Sequence, residues 1–178
     1  MHPIKHFITV TRHRHKVIQH CMKAGIGFQG LWHDMSKYSP IEFWNGARYY
    51  TGTYSPNVGE RNEKGYSVAW LHHKGRNRHH FEYWIDYSAV DRKEVFVKMP
   101  LRYLAEMFCD RVAASKIYRG ADYRDSDPLD YFLRGKSTRR IHPETSDMLE
   151  KLLRMLSEDG EKAVFEYLKK LVKEDKEY

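Results

Sequence analysis

Apolar residues recur at helical spacing over most of this chain, and alternation with the period of two that marks a half-buried strand is weak everywhere. From His6 to Lys23 they fall at Phe7, Val10, Val17, Ile18, Cys21 and Met22. That predicts one helix face, interrupted by a His/Arg-rich middle and stopped by Gly25 and Gly27. Residues 30–50, GLWHDMSKYSPIEFWNGARYY, predict a short helix around His33, a break at Pro40 and a second helical stretch from Phe43 to Tyr50. Ser39 suits its N-cap, Pro40 its first position and Glu42 its first turn. Residues 51–65, TGTYSPNVGERNEKG, are rich in turn formers and predict a loop, of the kind that can serve as a lid.

Residues 66–87, YSVAWLHHKGRNRHHFEYWIDY, predict a helix, a break near Gly75–Asn77 and another helix. The clearest helix is at 99–118, MPLRYLAEMFCDRVAASKIY. Pro100 suits its first turn, and Leu101, Leu104, Ala105, Phe108, Val112 and Ile117 form most of a buried stripe. Residues 120–143 are polar and irregular, with one turn at PLDYFL. Two amphipathic helices follow, one carrying Met148, Leu149, Leu152, Leu153 and Leu156, the other Val164, Phe165, Leu168, Leu171 and Val172, with a turn at Asp159–Gly160. The expected fold class is all-α, a single-domain helical bundle over residues 1–178.

Composition narrows the classes. The length of 178 residues suits one domain with a sizeable core, and 41% apolar content suits a folded one. No apolar run approaches the roughly 18–20 residues of a membrane span. The first segment, MHPIKHFITVTRHRHK, is too basic for a secretory signal, so a soluble, cytoplasmic protein with no membrane partner is expected. The two cysteines, Cys21 and Cys109, form no CxxC and read as reduced, buried thiols. The formal charge of +7 favours anionic partners, either nucleic acid or a phosphorylated small molecule.

The eleven histidines matter through their placement. Ligand-type side chains come in four clusters: His13 and His15; His33 and Asp34; His72, His73, His79 and His80 around a glycine break; and Asp110 within the long helix. Imidazole and carboxylate donors suit Zn, Mn, Fe, Co or Ni, and nothing here resembles a Cys-rich structural site. On a helix His33 and Asp34 would point about 100° apart, both within reach of an ion beside it. Lys37, one turn on, would hold a substrate phosphate or pair with a ligand carboxylate. Asp110 lies between Cys109 and the run Val112, Ala113, Ala114, and a charge so placed needs a partner. A salt bridge would satisfy Asp110 alone, and paired histidines in a basic chain are often surface residues; it is the joint pattern that points to a metal.

The order His … His-Asp … His … His … Asp on an all-α chain resembles the HD-domain metal-dependent phosphohydrolase superfamily. The resemblance covers roughly residues 5–118. HDMSK looks like the HD-x-[GS]-K form of the HD-GYP branch, and FCDRVAASK resembles the superfamily's last ligand helix. The stretches HDMSKYSPIEF, AWLHHKGRNRHHFEYW and EMFCDRVAASKIY are also similar to a family of uncharacterised bacterial and phage proteins. The resemblance implies an HD-type bundle with a metal-binding core at about 5–118 and a C-terminal helical cap at about 143–175, which could also be an oligomer surface, leaving room for a homodimer. It implies His33 and Asp34 as the namesake pair, Asp110 as the closing ligand, and His13, or alternatively His15, as the first. His72, His73, His79 and His80 resemble the later histidines of two-metal branches, without a choice among them. No GYP follows, so cyclic dinucleotide hydrolysis is not implied.

The activity implied is hydrolysis of a phosphomonoester or phosphodiester in a nucleotide-like or other small phosphorylated substrate. One or two divalent ions would lower the pKa of a water for in-line attack on phosphorus. Asp34 would bridge two ions or orient the water, Lys37, Arg76 and Arg78 would contact phosphate, and Glu82 would act as general base or support a ligand. Tyr49, Tyr50, Trp70, Tyr83 and Trp84 are either core or a surface for stacking a base. A di-iron oxygenase of the same superfamily would use the same ligands. A nucleic-acid-binding protein with a structural metal is the third reading, resting on net charge, 13 tyrosines and basic stretches at 12–16, 74–78 and 134–140.

Overall fold

The computed structural model describes residues 1–174 and Tyr178. Helix α1 (Pro3–Lys23) starts on its proline and ends before Gly25, whose φ of 82° is open to glycine at little cost. Its buried face is His6, Val10, His13, Val17, His20 and Cys21, a 4-3-4-3 stripe in which histidines take half of the inward positions. Phe7 and Met22, expected inside, are exposed. An apolar pattern points the helix the wrong way when its inward face carries imidazoles.

One helical turn, α2 (Gly27–Gly30), folds back on α1. A Cβ built on Gly30 would lie 2.5 Å from Cβ and 3.0 Å from Sγ of Cys21, which is wholly buried. Only a side chain of hydrogen fits that approach. Gly30→Ala is therefore expected to cost about 1–3 kcal/mol, read as a lower denaturant midpoint with an unchanged slope. A wild-type midpoint would mean that this turn can part from α1 freely.

Helices α3 (Pro40–Arg48), α4 (Pro56–Lys64) and α5 (Val68–Lys74) follow, with α3 packed on α1 and α5 on α3. The loop expected over 51–65 contains α4 instead. Pro56 opens this helix and Gly65, at φ 80°, closes it. It lacks an apolar stripe because a buried carboxylate anchors it: Glu60 accepts hydrogen bonds from Asn45 Nδ2 at 2.8 Å and Ser67 Oγ at 2.6 Å. The helix expected after Gly75 is also absent. A 3-10 turn at 81–84 leads into an antiparallel hairpin, β1 (Ile85–Ser88) and β2 (Lys93–Phe96), with Ile85 opposite Phe96 and Ser88 opposite Lys93. Strands of four residues are too short for alternation to register. The chain is otherwise helical, as its periodicity predicts.

Helix α6 (Leu101–Arg119) is the central element, in contact with α1, α7 (Asp127–Arg134) and α8 (Pro143–Glu174). From Leu104 to Cys109 every residue is buried. Helix α8 bends at Gly160, φ 83°, where the sequence places a turn, and lays Met148, Leu149, Leu152, Leu153 and Leu156, then Val164, Phe165 and Leu168, on the core. These residues belong to one hydrophobic cluster with Val17, Cys21, Phe108, Val112 and Phe132, so the C-terminal segment builds the core itself. The last residue of the expected cap, Asp175, lies outside the described residues. Among the described residues no helix is long and apolar enough to cross a membrane.

Candidate metal centre

His33 and Asp34 do not sit on a helix. They fall in the turn between α2 and a 3-10 turn at 35–38, and Asp34 takes the left-handed conformation, φ 53° and ψ 26°. Aspartate tolerates that region better than most residues, and such strain persists where the surroundings impose it. Arg14 of α1 fixes the turn by donating to the carbonyls of His33, at 3.2 Å, and Leu31. The left-handed residue brings two adjacent side chains inward together, and both are 1% exposed.

Two groups of ligand atoms meet at Asp34. The first is His13, His33, Asp34 and Asp110. His13 Nε2 is 2.9 Å from Asp110 Oδ1, and His33 Nε2 is 3.6 Å from Asp110 Oδ1 and 3.3 Å from Asp34 Oδ2. The second is Asp34, His73, His79 and His80. Oδ1 of Asp34 faces Nε2 of His73 at 3.3 Å and of His79 at 3.4 Å, while Nε2 of His73 and His80 are 2.9 Å apart. Each oxygen of Asp34 thus serves one group. The two groups could each hold a metal ion with Asp34 shared.

The polar atoms that converge are paired mainly with one another: apart from the Lys37 ammonium on Asp34 Oδ2, they face other ligand-type atoms across short gaps. Nε2 of His33 and His79 and Oδ1 of Asp34 are buried and make no hydrogen bond. Buried polar atoms are nearly always satisfied, so lone pairs of His33, His79 and Asp34 Oδ1 gathered with no hydrogen bond around shared points fit a cation that accepts them.

The other ring nitrogens are occupied. His33 Nδ1 is 2.9 Å and His79 Nδ1 3.2 Å from Glu106 Oε1, and His73 Nδ1 is 2.7 Å from Glu42 Oε2. Carboxylates behind imidazoles fix the tautomer that leaves Nε2 free to coordinate. Neither Glu106 nor Glu42, which the sequence marks only as a first-turn residue, stands out in the sequence as part of a metal site. Glu106 had a signal, since it lies four residues before Asp110 on the same helix amid buried apolar neighbours. His79 and His80 are carried by a turn whose Asn77 donates at 2.8 Å to both Ser36 Oγ and the His73 carbonyl, and Trp70 packs edge-on against His80 at 4.8 Å.

The field of the site is negative. Burial opposes charge on His33, yet Asp34, Asp110 and Glu106 hold its imidazolium well above the ordinary range. Burial likewise opposes charge on Asp34, but His33, Lys37 and His73 hold its carboxyl well below the usual carboxylate range. Carboxylates kept ionised in this way stabilise positive charge beside them, and the proton they hold on His33 can be exchanged for a divalent cation. Burial pushes His13 down and, with His79 and His73, pushes His80 down further, leaving both rings neutral and able to ligate.

The remaining candidates divide. Lys37 Nζ is 2.6 Å from Asp34 Oδ2, and its side chain is 31% exposed at the edge of a cavity of about 830 Å³ beside the ligands. Glu82 lines that cavity with Oε2 buried and unbonded, and burial raises its carboxyl. His15 points outward, so His13 is the histidine that α1 supplies. His72 is not in either group; its Nδ1 is 2.6 Å from Glu42 Oε1, which puts it behind the site. Arg76 and Arg78 do not line the cavity. Arg76 caps the His72 carbonyl, and Arg78 bonds Tyr103 and stacks between it and Tyr83. Other cations take their place, among them Arg61, Arg111, Arg119, Arg134 and Arg139. Of the aromatic candidates Tyr50 and Trp70 face the cavity, and Tyr49, Tyr83 and Trp84 do not line it.

A family model described as a family of unknown function, DUF5662, matches residues 2–155, which include every ligand in both groups. No curated protein and no solved structure matches the chain.

Proposed function

The chain belongs to the family of unknown function DUF5662, and from its site we propose that it is a metal-dependent phosphohydrolase of HD type, acting on a small phosphorylated substrate. The observation that carries the reading is the shared carboxylate of Asp34, set between two groups of imidazole nitrogens and carboxylate oxygens beside a cavity lined by Lys37 and arginines. Divalent ions bound there would supply a water of lowered pKa and positive charge against phosphoryl oxygens.

The chain's own residues do the rest. His13, His33 and Asp110 would hold one ion and His73, His79 and His80 the other, with Asp34 offered to both groups. Glu106 and Glu42 keep the imidazoles in the ligating tautomer. Lys37, tethered to Asp34, is placed to meet a phosphoryl oxygen at the cavity edge. Glu82 is placed to take or give a proton across the cavity, since burial favours its neutral form.

The test is elemental analysis of protein purified without chelator or affinity histidines, followed by phosphatase and phosphodiesterase panels with Mn, Co and Ni. Stoichiometric metal with phosphate release that is lost on chelation is expected. A mixed-valent di-iron centre that consumes dioxygen and releases no phosphate would replace this reading with an oxygenase on the same ligands.

A further inference from the structure

The cavity has a second charged wall that the metal ligands do not use. Arg111 follows Asp110 on α6 and lines the cavity. Its Nε is buried without a hydrogen bond, and among the described residues it makes no ion pair. Arg139 lines the same cavity from the segment after α7. Its position is fixed, because Nη1 donates to the Phe132 carbonyl at 3.0 Å and its guanidinium lies 4.7 Å from the centre of the Phe132 ring. Glu82 faces that cavity too, but stands outside ion-pair distance of both arginines.

The other cavity cations are either paired with a carboxylate or, like Arg61 and Arg134, exposed to water, whereas Arg111 and Arg139 are half-buried. Lys37 is bound to Asp34, Arg119 pairs with Asp127 at 2.9 Å, and Arg61 lies over the Trp70 ring at 5.5 Å. A guanidinium drawn out of water without an anion is costly, and two in one cavity also repel each other. A planar fork of donors matches a phosphate bidentately, which a lysine cannot do.

We propose that Arg111 and Arg139 form a second phosphate-binding subsite, so that the substrate carries two phosphate groups, one presented to the metal ligands and Lys37 and the other held by the arginines. The part that names the substrate rests on the phosphohydrolase reading; the anion subsite does not. The arginine-held group is a recognition element, and removing the fork weakens binding of doubly phosphorylated molecules alone.

Titration calorimetry on the full-length, metal-loaded protein tests this with α,ω-alkanebisphosphonates of increasing length, the matching alkyl monophosphonate and the ω-phosphonocarboxylates. One bisphosphonate length is expected to bind at least about ten-fold more tightly than the monophosphonate. Arg111→Ala and Arg139→Ala should each remove that gain while leaving monophosphonate affinity and metal content in place. Arg139, away from the buried helix face, gives the variant that keeps its fold. A flat series, or a gain that survives both substitutions, overturns the proposal. An equal gain from the phosphonocarboxylates overturns the assignment of the second group as phosphate. If the protein binds no metal, the phosphohydrolase reading fails, and inorganic phosphate binding still decides the subsite: loss in both arginine variants supports it, and binding unchanged in both overturns it.

Discussion

Asp34→Asn is expected to empty both metal groups at once, whereas Asp110→Asn should cost one ion and His80→Ala the other. Asp34 is the only side chain shared by the two four-residue groups, with one oxygen toward each. Asparagine keeps its size and tolerates the left-handed backbone at φ 53°, so the turn should survive. What disappears is the negative charge that draws cations to a buried cluster of imidazoles. Elemental analysis should therefore fall from two ions per chain toward none, with phosphate release reduced roughly 10²–10³-fold or more. A variant that keeps both ions would show that the two groups hold metal independently of Asp34. Circular dichroism separates loss of metal from loss of fold.

The long helices α6 and α8 are legible in the sequence because apolar residues define their inward faces. Leu104, Phe108 and Val112, then Leu149, Leu152 and Leu156, are all wholly buried. Helix α1 is legible as a helix but not in its orientation, since His6, His13 and His20 occupy positions where apolar residues would have marked the core. Helix α4 is hidden because Glu60, a polar anchor, replaces the stripe. At the site, residue types announce a metal, and chain order groups His13 or His15 with His33, Asp34, His72, His73, His79, His80 and Asp110, without separating the ligands from His15 and His72. Their convergence depends on one left-handed residue, and no periodicity encodes that. The same limit explains Arg76 and Arg78, whose basic surroundings suggest phosphate contact although their side chains cap a helix and stack on tyrosines. Of the arginines that do face the cavity, Arg134 and Arg139 lie in the basic stretch 134–140, read for nucleic acid rather than for this site, and Arg111 lies in a helix whose apolar stripe hides it.

Glu106→Gln should weaken metal binding in both groups without abolishing either, by about 10–100-fold in affinity. One oxygen of Glu106 stands behind His33 of the first group and His79 of the second, at 2.9 and 3.2 Å. The other accepts from Gln29 Nε2 at 2.5 Å. Burial works against charge on this carboxyl, but His33 and His79 bring it down to about 2, so it is ionised at any working pH. A glutamine has a single carbonyl oxygen to offer. If that oxygen faces the imidazoles, its amide opposes the amide of Gln29; if it faces Gln29, the amide opposes two Nδ1–H groups. Either arrangement leaves donors facing donors and releases the rings from the ligating orientation. Competition with a metallochromic chelator should show the rise in Kd, while saturating metal still restores two ions per chain. That separates a positioning residue from a ligand, because Asp34→Asn should fail to fill at any metal concentration reached. An unchanged Kd in Glu106→Gln would mean that packing alone, with Trp70 against His80 and Asn77 beneath His73, holds the imidazoles in place.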